Sequence, residues 1–207
     1  MINKKSMKVI LLKSVIHLVS LSLLVNVYYL AINDQLGADP VEAVLHFTGI
    51  GAFNLLLLSL LVTPIVKYCQ WRIFMQVRRL LGLYSFTYAL CHVLSFLAFE
   101  VQFDWPLFIE EIYQRPYVTI GMAAFVILLT LAVTSISAMK KQLGRKWQLL
   151  HNWVYLALLL VAIHFYWSVK SEIIEPSIYI ILALGLLWFR KDKFTRWLAN
   201  KHRANNH

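Results

Sequence analysis

WQLLHNWVYLALLLVAIHFYW, residues 147–167, is long and apolar enough to cross a lipid bilayer, yet it carries His151 near its start and His164 near its end. A membrane span needs about 20 apolar residues, and an ionisable side chain inside one is costly, which marks a functional site with its partner on a neighbouring helix. The step from His151 to His164 is roughly 20 Å of helical rise and turns the two side chains about 140° apart, so they serve different levels of the membrane.

The rest of the chain has the same character. Of its 207 residues 60% are hydrophobic and 14% charged, against an apolar share of about 45 to 50% in ordinary soluble domains. Apolar spans are read at about 9–31, 41–66, 77–100, 116–139, 147–169 and, shorter, 176–190. The spans must be helices, because lipid offers backbone groups no partner. The expected fold is all-α: a polytopic six-transmembrane-helix bundle forming one membrane domain over residues 1–207, with no internal repeat or long linker.

A net charge of +10 suggests nucleic acid only until the charges are placed. Lys4, Lys5, Lys8 and Lys13 precede or enter the first span. Lys67, Arg72, Arg78 and Arg79 lie in the second connection, and Lys140, Lys141, Arg145 and Lys146 in the fourth. Arg190, Lys191, Lys193, Arg196, Lys201 and Arg203 follow the last span, leaving only Arg115 and Lys170 on the opposite side. The acids Asp34, Asp39, Glu42, Glu100, Asp104, Glu110, Glu111, Glu172 and Glu175 gather opposite the basic cluster. By the positive-inside rule both termini are cytoplasmic, and the basic residues read as topology signals, with no nucleic acid as partner.

The first span has the basic start of a signal peptide, but its apolar stretch exceeds the roughly 7 to 15 residues of such a segment and no small-residue cleavage site follows, so it is expected to remain as a helix. Cys69 and Cys91 form neither a C-x-x-C pair nor a c-type haem motif and read as packing residues.

Depth along the helices singles out a pair. His92 lies eight residues before Glu100 and His164 six before Lys170, roughly 12 Å and 9 Å below the outer ends of two spans that run in the same direction. Two neutral imidazoles at one depth on apolar helices suit an iron porphyrin with two axial nitrogens, whereas a structural zinc site wants four ligands. His151 sits roughly 7 to 8 Å inside the cytoplasmic boundary. At that level the third span offers Arg78, fourteen residues before His92; arginine has no lone pair for a metal. Arg78 and Arg79 fit better with a propionate, a phosphate or a quinone carbonyl.

Five segments carry a family resemblance: LGADPVEAVLHFTG (36–49), RRLLGLYSFTYALCH (78–92), RPYVTIG (115–121), LGRKWQLLHNWVYL (143–156) and HFYWSVK (164–170). In this order and spacing the chain resembles the MsrQ family, the haem-binding membrane subunits of the bacterial protein-methionine-sulfoxide reductase system, within the ferric-reductase-like transmembrane group. The resemblance implies haem b held in the bacterial inner membrane, with His92, His164 and His151 at the positions the family uses for haem. It also implies FMN, electrons from quinol or a cytoplasmic flavin reductase, and a periplasmic molybdopterin-containing methionine sulfoxide reductase as acceptor. Arg78 stands where a fourth histidine would complete two haem pairs, so haem number stays open. No G-x-G-x-x-G strand-to-helix turn for a nicotinamide or flavin domain is present.

Blander roles exist for each residue. Histidines on packed spans can simply bond a neighbouring helix, and His151 can anchor a helix end. His46 reads as an interfacial histidine and reserve ligand, His17 as a mid-membrane proton or quinone group, and His202 and His207 as part of a solvated tail. The aromatic residues Trp105, Tyr113, Tyr117, Trp147, Tyr166, Trp167 and Trp188 fit interfacial belts. A small transporter or proton channel would be expected to show repeated halves or helices broken at mid-membrane. An intramembrane hydrolase would need a carboxylate beside its histidines. Neither is visible.

Overall fold

A computed structural model describes residues 4–169 and 173–190, so the predicted features at Lys170, Glu172 and the tail from Lys191 to His207, including His202 and His207, lie outside the described residues. Helix α1 (Lys4–Ile32) is followed by α2 (Pro40–Cys69). The start of α2 is fixed by Asp39, whose carboxylate accepts from the Glu42 amide at 2.9 Å, and by Pro40, whose missing N–H costs nothing in a first turn. Its end is a left-handed residue, Gln70, with φ 58°. After a short 3-10 turn at Arg72–Gln76 comes α3 (Arg78–Ser95), which widens into a π turn at Phe96–Glu100.

The outer connection then contains α4 (Trp105–Gln114), which the apolar-span reading does not anticipate. Asp104 caps it, accepting from the Leu107 amide at 3.1 Å. Its exposed stripe of Trp105, Ile109 and Tyr113 suits an interfacial helix. Helix α5 (Pro116–Val133) follows, then α6 (Ser137–Leu143), α7 (Arg145–His151), α8 (Val154–Ser168) and α9 (Ile174–Trp188).

Five of these stretches are long and apolar enough to span a bilayer: Ser6–Ile32, Pro40–Cys69, Arg78–Glu100, Pro116–Val133 and Arg145–Ser168; α9 is the shorter sixth. The protein is therefore a multi-pass, all-helical membrane protein. Two boundaries differ from the sequence reading. The fourth span ends at Val133 rather than 139, because the hydroxyls of Thr134 and Ser135 bond back to the Thr130 and Ala132 carbonyls at 2.6 and 2.8 Å, and the Thr134 carbonyl accepts from the Trp147 indole at 2.9 Å. The fifth tightens at Asn152 and Trp153, where i→i+3 bonds such as Tyr155 N–H to Asn152 (3.1 Å) separate α7 from α8.

The core lies where α2, α5, α8 and α9 meet, around Phe53, Leu56, Leu60, Leu158 and Ala183. Without a hydrophobic force between helices in lipid, such contacts act through close packing and interhelical hydrogen bonds. Ser85, fully buried on α3, donates to the Ala52 carbonyl of α2 at 2.8 Å. Peripheral α1 is tied by Tyr88 donating to Ser20 O and by the Tyr28–Ser95 hydroxyl pair, each at 2.7 Å. Arg190, read from sequence as part of a basic tail, is instead 6% exposed. It donates to the Tyr155 hydroxyl and the Leu60 carbonyl, both at 2.7 Å, clamping the end of α9 to α8 and α2.

Candidate functional site

His92 from α3 and His164 from α8 face each other, their ring centres 6.2 Å apart and their planes at 85°. Each is held in the same way. His92 Nδ1–H donates to the Leu45 carbonyl of α2 at 2.9 Å, and His164 Nδ1–H to the Tyr117 carbonyl of α5 at 2.7 Å. Four residues beyond each carbonyl stands a glycine on which the imidazole lies. A Cβ built at Gly49 would meet His92 Cε1 and Nδ1 at 3.2 Å, and one at Gly121 would meet His164 Nδ1 at 2.7 Å. The two cradles are therefore equivalent: a helix carbonyl fixes the ring tautomer, and a missing side chain one turn later makes room for the ring.

A proton on Nδ1 leaves the Nε2 lone pair of each ring available, which is how backbone carbonyls orient histidine ligands and raise their basicity. A metal–imidazole bond of about 2.0–2.1 Å plus about 1.2 Å from nitrogen to ring centre puts two opposed ligands of one metal about 6.4 Å centre to centre. The observed 6.2 Å matches that spacing. Both rings line one cavity of about 690 Å³, within the usual range of about 300–1,000 Å³ for cofactor sites. The surrounding wall is mainly apolar, including Phe53, Phe125 and Leu128. The residues present thus fit a flat, largely apolar group ligated on both faces. They do not fit a multi-ligand metal site: no group of three His, Cys, Asp or Glu converges among the described residues.

His151 is elsewhere. At the end of α7 it stacks on Trp147 (ring centres 4.0 Å, planes 28° apart), and its Nε2 lies 3.2 Å from the Thr134 hydroxyl. Arg78 is within charge–charge range of both His151 and Arg190. The Arg78 carbonyl accepts from Ser59 at 3.2 Å, while the Arg79 side chain is exposed. The structure therefore brings His92 and His164 together and sets His151, Arg78 and Arg79 apart from them, roughly 21 Å away along α3. Of the reserve histidines, His46 lines the cavity, with Nε2 3.8 Å from Glu175, and His17 shares a 2.6 Å hydrogen bond with Tyr84.

Leu45, Gly49, Tyr117 and Gly121 are the positioning residues that sequence reasoning missed. The signal was present in the spacing: both glycines fall in segments that carry the family resemblance, each four residues after the carbonyl that holds a histidine.

Residues 48–162 match the family described as ferric reductase like transmembrane component. A protein of Klebsiella pneumoniae subsp. pneumoniae is 43% identical over 191 residues, 92% of this chain and 95% of its own length. One of Enterobacter sp. is 41% identical over 187 residues, 90% and 94%. A third, of Pectobacterium carotovorum subsp. carotovorum, is 45% identical over 161 residues, 77% and 81%. Each is named as the protein-methionine-sulfoxide reductase heme-binding subunit MsrQ. A family match over more than half the chain and relatives this similar along 77% to 92% of it agree with the paired-histidine cavity: the chain belongs to the MsrQ family of ferric-reductase-like transmembrane proteins.

Proposed function

We propose that this chain is a haem b subunit of the bacterial inner membrane that passes electrons outward to a periplasmic, molybdopterin-containing methionine sulfoxide reductase. The observation that carries the reading is the His92–His164 pair, each ring locked through Nδ1 with Nε2 left for a metal. The relatives' names supply the heme and the methionine sulfoxide reductase. Both termini are assigned to the cytoplasm by the placement of positive charge.

Bound between these rings, haem would supply one-electron transfer; substrate is reduced on the partner. His92 and His164 would hold it through Nε2, the Leu45 and Tyr117 carbonyls orienting both rings, and the apolar wall would keep water out. His151, which the resemblance gives as a third haem histidine, stands at the inner level with the Thr134 hydroxyl 3.2 Å from its Nε2, so any haem it held would be separate from the one between His92 and His164. That inner group, with Arg79, suits the electron donor: quinol, or FMN served by a cytoplasmic flavin reductase. A carbonyl oxygen or phosphate there meets fixed cations with no carboxylate nearby among the described residues.

Haem and flavin per polypeptide, measured on detergent-purified protein with its visible spectrum, test this. A red preparation with a reducible Soret band is expected. His92→Ala and His164→Ala each remove most of the haem, whereas His151→Ala weakens its retention or alters only part of the spectrum. A colourless yet active protein, as a transporter or proton channel would be, or equal haem in all three variants, overturns the reading.

A further inference from the structure

The mouth of the histidine cavity has an unbalanced charge pattern. Four carboxylates, Asp39, Glu42, Glu100 and Glu175, line it. Against them, among the described lining residues, stands one permanent cation, Arg115, the residue just before α5. Among the described lining residues, Arg115 is the one that offers an anionic group a fixed positive charge.

The arginine is also placed and partly unspent. Its Nε donates to Glu111 at 2.8 Å and one Nη1 proton to the Tyr117 hydroxyl at 3.1 Å. A guanidinium has five N–H donors, so three stay without a protein partner among the described residues. The hydrogen bond to Tyr117, with Glu111 and Glu100 adding to it, raises the Arg115 pKa further, so the charge is permanent. Tyr117 is the residue whose carbonyl holds His164, and its ring centre is 6.1 Å from that imidazole. Arg115 thus sits at the same end of α5 as the carbonyl that holds His164.

From this the geometry points to Arg115 as the anchor for a haem propionate, its unused Nη donors gripping the carboxylate at the outer mouth. The inference rests on the haem reading above and adds the orientation of the group: propionates outward, vinyl edge toward the apolar wall. A charge-assisted, fork-shaped contact of this kind discriminates strongly between a carboxylate and its neutral ester.

The test uses full-length protein made under haem starvation and titrated in detergent with haemin or haemin dimethyl ester. The wild-type chain is expected to bind haemin roughly tenfold tighter than the ester. Arg115→Gln should narrow that gap to about twofold, leave the affinity for the ester unchanged, and lower the midpoint potential of the bound haem, since a positive charge that favours the reduced state is gone. Arg115→Lys should recover part of the preference. Equal binding of haemin and ester by the wild-type chain, or an Arg115→Gln variant that weakens both alike, overturns the assignment. Retention of pigment by His92→Ala and His164→Ala would instead sink the haem reading itself, whatever Arg115 does.

Discussion

A single missing carbon decides the histidine site. At Gly121 a methyl group would sit 2.7 Å from His164 Nδ1, closer than any side chain tolerates, and the clash falls on the atom that bonds the Tyr117 carbonyl. Gly121→Ala therefore has to move the imidazole or break its hydrogen bond, and loss of such a supporting contact lowers affinity roughly 10- to 100-fold. At Gly49 the corresponding contact is 3.2 Å, which a few tenths of an ångström of shift relieves. Haem titration should show the larger loss for Gly121→Ala and only about a twofold loss for Gly49→Ala; the reverse order would mean the cradles do not position the ligands. The histidines themselves were legible in the sequence because depth needs only the rise per residue and the two outer helix ends. The cradles were not, since a carbonyl four residues before a glycine acquires meaning only once the partner helix is known.

At the scale of helices, apolar length marked the spans and said little about what ends them. The fourth stops early through hydroxyl-to-carbonyl bonds at Thr134 and Ser135, a competition that hydropathy does not register. Helix α4 escaped because it lies outside every long apolar stretch and alternates Trp105, Ile109 and Tyr113 with acids. Arg190 shows the same limit: its place beyond a span marks a topology signal and says nothing of the Leu60 carbonyl and Tyr155 hydroxyl that receive it. Helix α1 offers the clearest test of what holds these elements together. Its large apolar side chains, such as Leu11, Leu18 and Val25, face outward toward lipid. Its attachment leans on hydrogen bonds from Tyr88 to Ser20 and between Tyr28 and Ser95. Interhelical hydrogen bonds in membranes average about 0.6 kcal/mol, so a Tyr28→Phe, Tyr88→Phe double variant should lose about 1 kcal/mol. The thermal midpoint in detergent should fall by roughly 2–4 °C with haem content unchanged. A loss of haem would show that α1 supports the cavity directly.

Across the whole molecule charge is separated along the membrane normal: the described carboxylates gather at the cavity end, and the bases from Arg72 to Arg79 and Lys140 to Lys146 at the other. A one-way electron path needs a donor and an acceptor that enter from opposite sides and recognise opposite surfaces. Under the proposed function the cavity end would present its carboxylates to the acceptor, and electrostatic complementarity of this kind acts mainly on encounter rate. The other end holds Arg78, within charge range of His151, and the exposed Arg79, cations that under the proposed function would orient a polar donor head. The two ends are separable in kinetics because roughly 21 Å of helix lies between Arg78 and His92. Replacing both arginines with Gln removes the donor-side contacts and leaves the histidine cradles intact. Stopped-flow reduction of the haem by quinol should then slow by roughly tenfold, the size expected for lost charge-assisted hydrogen bonds, while reoxidation by the periplasmic reductase changes by less than about twofold. Traces in which reoxidation slows and reduction does not would reverse the polarity assigned to the bundle and, with it, the side from which electrons enter.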